Sequence, residues 1–152
     1  MGSAVAEEFG KAFWEERYGG HGAGHRRGVA SRIEWREADL TTWAPPENRF
    51  DLISSLYVHT AGSREELFRR LAAAVAPGGT LLVVAHDPTD VHHNGAHAPS
   101  PQSTVAVEEV VGTLEAEKWD VAVAETRSRA AADGHGHQVT MRESVVRARK
   151  RG

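Results

Sequence analysis

Three side chains that could do acid–base chemistry follow the two most apolar segments of the sequence. Tyr57 and His59 lie at the end of the run FDLISSLYV, and His86 follows the run TLLVVA. A neutral imidazole can remove a proton from a nucleophile, and open α/β sheets bind ligands where their strands end. We therefore predict His59, Tyr57 and His86 as catalytic residues, with His59 as the general base. The alternative is that His59 is a solvated residue at a strand end.

A strand–helix–strand unit must position these side chains. The near-continuous apolar run Phe50–Val58 predicts a strand buried on both faces, which is typical of a parallel sheet. Residues Ser63–Ala76 form the clearest predicted helix, because Ser63 and Glu66 have the spacing of a capping box. Thr80–Ala85 predicts a second buried strand, and the crossover between parallel strands is expected to be right-handed.

Weaker patterns surround this unit. Apolar residues at helical spacing predict an amphipathic helix over residues 3–18, and a run with five glycines predicts a loop over residues 19–28. The other predicted elements are, in order, a strand Arg32–Ala38, a loop His86–Ser103, a helix Thr104–Leu114 and an antiparallel hairpin of Trp119–Thr126 with Gln138–Arg149.

The bulk composition excludes several classes of protein. The 152 residues suit a single domain, and the lack of cysteine excludes disulfides and thiolate metal sites. A net charge of −3 without a basic face predicts no nucleic-acid partner. No apolar run reaches the roughly 20 residues of a membrane helix, and the amino-terminal residues lack the apolar core of a leader. We expect a cytoplasmic protein with no membrane partner.

Histidine is the one unusually frequent ligand-forming residue. The chain has nine histidines, and several share one predicted loop with an aspartate. Imidazole and carboxylate bind zinc or nickel, but the spacing here matches no closed zinc motif. We predict no metal site, and a histidine-rich metal-binding protein stays open as an alternative function. The loop residues concerned are His86, Asp87, His92, His93 and His97.

The order of the segments resembles one enzyme family. Three segments resemble parts of class I S-adenosylmethionine-dependent methyltransferases. The third strand of that fold is resembled by RIEWREADL, and the fourth by RFDLISSLYVHT. The helix that follows the fourth strand, its Pro-Gly-Gly turn and the fifth strand are resembled by LFRRLAAAVAPGGTLLVVAHDP. The closing hairpin resembles the antiparallel end of the same sheet. WEERYGG resembles the amino-terminal cap helix of members that act on small molecules.

The resemblance implies a cofactor and a set of contacts. S-adenosylmethionine would be the methyl donor, and a small molecule would be the acceptor. Asp39 and Leu40 would lie beside the adenine, Ser55 would lie at the active-site edge, and Trp14 and Tyr18 would cover the cofactor. From the residues alone, Asp39 is equally a candidate for capping a turn, and Trp14 and Tyr18 for packing an amphipathic helix.

The sequence departs from the family where the cofactor should bind. Members need a first strand that ends in a glycine-rich turn, but only GGHGAGHRRGVAS separates the cap helix from the third strand here. We therefore predict an incomplete Rossmann-like α/β sheet without the first two strands. Its domain would comprise a cap helix at 1–20, a loop at 21–31 in place of the missing segment, and the carboxyl-terminal part of the fold at 32–149.

Loss of two strands leaves the third strand without its usual neighbour. In family numbering the predicted sheet has about five strands, ordered 3-4-5-7-6, if Arg32–Ala38 moves to pair with Phe50–Val58. Otherwise the apolar edge of Phe50–Val58 is open to another chain, which would give a homo-oligomer. Two functions follow from the resemblance: a small-molecule methyltransferase, or a non-catalytic binding or assembly module.

Overall fold

The computed structural model describes residues 32–92, 103–132 and 136–152, with the backbone alone at residues 91 and 92. The predicted cap helix, with Trp14 and Tyr18, and the loop at 21–31 lie outside these residues. The chain divides into two compact units after Glu37. The sheet and the helices described below belong to the second unit, Ala38–Gly152.

A mixed four-stranded sheet forms the centre of the described α/β structure. Its strands are β1 Phe50–Leu56, β2 Val75–His86, β3 Trp119–Ala132 and β4 Gln138–Lys150, in the spatial order β1-β2-β4-β3. β1 and β2 are parallel, whereas β4 is antiparallel to both β2 and β3. This arrangement confirms the predicted order of the last four strands, including the hairpin whose second strand lies inside the sheet.

Helix α1, Arg64–Ala74, connects the two parallel strands. The Ser63 side chain accepts a hydrogen bond of 3.2 Å from the amide of Glu66, as its spacing predicted. The helix ends two residues before the predicted Ala76, because Val75 already has an extended backbone and begins β2. Its apolar side packs on the sheet through Leu67, Phe68, Leu71, Ala72 and Ala74.

The Pro77-Gly78-Gly79 turn forms a bulge at the start of β2. Phe50 pairs with Val75 and Leu52 with Thr80, so four residues of β2 lie opposite a single residue of β1. A Cβ on Gly79 would lie 2.9 Å from the carbonyl oxygen of Ala76 and 3.0 Å from that of Asp51. Only glycine allows the two strands to approach this closely.

One face of the sheet holds the core. Alternate β2 residues Leu81, Val83 and Ala85 are buried there, and β4 contributes Val146 and Ala148. A short helix α2, Val107–Val111, adds Val110 to the same core. The predicted helix Thr104–Leu114 is shorter than expected, because Thr104 instead forms a parallel bridge with His86.

The predicted strand Arg32–Ala38 is wrong, and the described residues form four strands where about five were predicted. Residues 33–39 have no regular secondary structure, and β1 pairs with β2 alone in the described part of the chain. Asp39 forms a turn instead, since its carboxylate accepts hydrogen bonds from the amide (2.9 Å) and hydroxyl (2.7 Å) of Thr41. Arg70 of α1 then donates a 2.7 Å hydrogen bond to the carbonyl of Leu40.

β1 was predicted to be buried on both faces, and this prediction is also wrong. Leu52 and Leu56 are 59% and 52% exposed, and Phe50 is 39% exposed. The alternate side chains Ile53 and Ser55 are the more buried ones. An apolar run is typical of a central strand, whose faces are both covered by other elements. β1 instead lies at the edge of the described sheet.

A buried carboxylate, that of Asp87, connects three strands beyond the end of β2. It accepts hydrogen bonds of 2.9 Å from the Thr126 hydroxyl of β3, from the Ser144 hydroxyl of β4 and from the Thr89 amide. Burial alone would raise the pKa of Asp87, but these hydrogen bonds together outweigh it and hold the pKa below its ordinary value. Asp87 therefore fixes the hairpin against the carboxyl end of β2.

Replacing Asp87 by asparagine is expected to lower the free energy of unfolding at neutral pH by about 1–3 kcal/mol, because a hydrogen-bonded charge is lost. The lowered pKa means that the wild-type carboxylate stabilises the fold at pH values above 3.8, the ordinary pKa of an aspartate. That stabilisation is lost as the pH falls through the lowered pKa, and the D87N variant should lack this part of the pH dependence.

Urea unfolding across the acid pH range measures this difference. Asp120→Asn is the matched control, because Asp120 is exposed and binds the equally exposed Arg151. Its effect should be much smaller. Equal losses of stability in the two variants would show that the Asp87 network does not hold the strands together.

Candidate functional site

The predicted catalytic side chains do meet at one edge of the sheet. Tyr57 directly follows β1 and His86 ends β2, and their ring centroids are 5.0 Å apart at an interplanar angle of 44°. His59 is close enough to His86 for the two imidazoles to repel each other when protonated. The parallel pairing of the strands causes this convergence, since it places both carboxyl ends on the same side.

Tyr57 has an unusual backbone conformation at the point where the chain leaves the sheet. Its φ of 53° lies in the left-handed region, which is uncommon for a bulky side chain. Its amide still donates a 2.8 Å hydrogen bond to the carbonyl of Val84, so β1 pairs with β2 up to this residue. The reversal in backbone direction brings the tyrosine ring back toward β4.

The hydroxyl of Tyr57 donates a hydrogen bond to Oε1 of Glu143, a residue of β4 that is only 8% exposed. The same oxygen accepts a 2.7 Å hydrogen bond from Nε of Arg129 on β3. Burial, and then the hydrogen bond to Glu143, raise the pKa of Tyr57, so that its hydroxyl remains a donor. Sequence reasoning missed both Glu143 and Arg129.

Both histidines favour the neutral form. Burial, followed by repulsion from His86, lowers the pKa of His59. Burial is also the main cause of the lowered pKa of His86, against which the charges of Asp90 and Glu143 act in the opposite direction. The buried Nδ1 of His86 has no hydrogen-bond partner among the residues described, which is less costly for an uncharged ring. Neutral imidazoles are able to accept protons.

The residues expected to contact the cofactor are held by other groups. Asp39 caps its own turn, and the hydrogen bonds from Thr41 lower its pKa. Leu40 packs against the core. Ser55 is 4% exposed and lies opposite Val83 in the sheet. These described residues do not by themselves form a site for S-adenosylmethionine, which needs close approach of a glycine-rich backbone.

Other kinds of site receive no support from the described residues. They contain no group of three histidine, aspartate or glutamate side chains placed to hold a metal ion. Within those residues, no helix has the length and apolar character to cross a membrane. A cleft of about 360 Å³ lies beside Trp119 and Arg151. These residues are near the start of β2, whereas Tyr57 and His86 are at the other end of the parallel strands.

The fold is similar to that of solved structures at low sequence identity. The YcgJ protein from Bacillus subtilis is 14% identical, with a TM-score of 0.57 over 99% of this chain and 80% of that one. The [4+2]-cyclase SpnF is 16% identical, with a TM-score of 0.54 over 98% of this chain and 63% of the cyclase. TehB from Haemophilus influenzae is 18% identical, with a TM-score of 0.50 over 70% of this chain and 37% of TehB.

These similarities show a shared fold, and the chain spans less than two thirds of the cyclase and of TehB. Weaker ones are to S-adenosylmethionine-dependent methyltransferases from Mesorhizobium loti and Methanosarcina mazei, with TM-scores of 0.49 and 0.46, on which we base nothing. No protein-family model matches the sequence, and no curated protein sequence is significantly similar to it. The comparisons thus show an α/β fold shared with these proteins.

Proposed function

We propose that this chain is a member of the class I S-adenosylmethionine-dependent methyltransferase family that acts on a small molecule. The observation that carries the proposal is the convergence of Tyr57, His59 and His86 at the carboxyl ends of the two parallel strands. Open α/β sheets bind their ligands at this edge. The sequence segments that resemble the family, and a strand order that ends in an inserted antiparallel hairpin, support the same assignment.

In this proposal the described residues supply the acceptor side of the reaction. His59 removes a proton from the oxygen, nitrogen or sulfur of the acceptor, and its lowered pKa keeps the imidazole neutral for that task. The Tyr57 hydroxyl donates its only hydrogen to Glu143, so its oxygen is free to accept a hydrogen bond from the acceptor molecule and orient it. His86 lies at the same edge, and when protonated it disfavours a charge on His59.

A non-catalytic binding or assembly module is the second candidate. Two observations on the residues expected to bind the cofactor favour it. The Asp39 carboxylate already binds Thr41, and the sequence lacks the glycine-rich turn. The same fold would then bind a small molecule or another protein without methyl transfer. The described residues alone do not fit the cofactor.

Calorimetric titration with S-adenosylmethionine and with its demethylated product separates the two candidates. The enzyme proposal requires saturable heat for at least one of them, since a methyl donor must bind before transfer. Absence of saturable heat at millimolar ligand would reject the enzyme and leave the non-catalytic module. Asp39→Ala should weaken the binding if the carboxylate contacts the adenine, and should leave it unchanged if Asp39 only caps its turn.

If the cofactor binds, His59→Gln should reduce methyl transfer to an acceptor by about 10²–10⁴-fold, as expected for loss of a general base. Wild-type activity should persist below the ordinary histidine pKa of 6.5 and fall as His59 is protonated at lower pH. An assay of methylated product against pH measures both effects. His137→Gln, at an exposed position of the hairpin turn, is the control and should retain activity. Equal activity of the two variants would remove His59 as the base.

We also propose that a second copy of the chain pairs along the outer edge of β1. The exposed side chains of Leu52 and Leu56 adjoin a strand edge that β2 does not cover, and such an edge is a template for another strand. Leu52→Lys should therefore shift the chain from dimer to monomer in sedimentation velocity. Val121→Lys alters another exposed apolar residue, on the opposite edge strand β3, and should leave the dimer intact. A wild-type monomer would exclude this pairing.

A further inference from the structure

The backbone of Tyr57 stores strain that its surroundings must offset. A non-glycine residue in the left-handed region costs on the order of 1–3 kcal/mol and persists only where contacts fix it. Three contacts fix this one: the amide hydrogen bond to Val84, the ring contact with His86 and the hydroxyl bond to Glu143. The first keeps β1 in register, while the other two set the direction of the side chain.

Glu143 is the residue on which these contacts converge. It pairs with His86 across β2 and β4, and its carboxylate binds Arg129 of β3 as well as the Tyr57 hydroxyl. A carboxylate that is 8% exposed requires such partners, because an unpaired buried charge is strongly destabilising. The carboxylate therefore joins the end of β1 to β3, and it lies in the strand next to His86.

We propose that Glu143 is a positioning residue, which holds the Tyr57 ring against His86 and is itself held in place by Arg129. Tyr57 and His86 then lie side by side at the carboxyl ends of the parallel strands, with His59 near His86. The consequence for methyl transfer rests on the proposed function, whereas the positioning of the two rings does not. No sequence motif marks Glu143, since Tyr57 lies 86 residues away in the chain.

The charges around His86 make the role of Glu143 measurable. Burial lowers the pKa of His86 most, Asp90 and Glu143 raise it, and Arg129 lowers it. Tyr57 contacts the ring and His59 faces it as a second imidazole. Removal of the Glu143 charge should therefore lower the pKa of His86 further. General loosening of the site would do the opposite, because it would reduce the burial.

Two variants of the full chain test the proposal by NMR, with the His86 imidazole signals assigned by comparison with His86→Gln. Glu143→Gln keeps the shape but removes the charge, and the titration midpoint of His86 is expected to move to lower pH. Tyr57→Phe keeps the ring but removes the hydroxyl, and the nuclear Overhauser contacts between residue 57 and His86 are expected to weaken. Glu125→Gln, an exposed glutamate on β3 that binds Arg127, is the control and should change neither signal.

An unchanged His86 midpoint in E143Q would overturn the proposal, as would full contacts between the two rings in Y57F. A higher midpoint would mean that the site opens without the Glu143 carboxylate, which is the loss of positioning that the proposal predicts. If E143Q does not fold, the ring contacts in Y57F decide alone. Neither measurement needs the methyl donor. A failed calorimetric titration would therefore reject the enzyme and leave the positioning role intact, whereas a failed NMR test would leave the calorimetric result unaffected.

Discussion

The parallel pairing of β1 with β2 is the constraint on which the rest of the structure depends. Because helix α1 returns the chain to the same end of the sheet, residues 57 and 86 emerge side by side although 28 residues lie between them. An antiparallel pairing would place Tyr57 and His86 at opposite edges, and Glu143 could not reach the tyrosine. Gly79 allows β1 and β2 to approach closely where the parallel pair begins. The Asp87 hydrogen bonds fix β3 and β4 against the other end of β2.

The sequence was sufficient to predict those elements whose signals are local. Ser63 and Glu66 mark the start of α1, and the apolar runs mark β1 and β2. Alternation at Arg32–Ala38 looks equally local, but a strand also needs a neighbouring strand for its backbone hydrogen bonds, and none of the described strands pairs with residues 33–39. The exposure of Leu52 was unpredictable for the same reason, since an apolar run does not say how many faces are covered.

Only some residues of the candidate site could likewise be predicted from local signals in the sequence. Tyr57, His59 and His86 could be predicted because strand ends and topology bring them together. Glu143 and Arg129 could not, because their contacts with Tyr57 cross three strands. One signal was present: β4 alternates poorly in sequence, and the structure shows consecutive buried polar residues there, Glu143 and Ser144. A polar pair that breaks the period of a buried strand indicates a network.

The cost of that network bears on the function of this edge. A sheet that needed only stability would fill the position of Glu143 with an apolar side chain, since replacing buried ion pairs in this way is often neutral or stabilising. A left-handed tyrosine adds strain, and two half-buried histidines with lowered pKa values lie beside it. Local departures from the rules of stability are expected at functional sites. Their concentration at the carboxyl ends of β1 and β2 is consistent with the proposal that this edge of the sheet binds the acceptor.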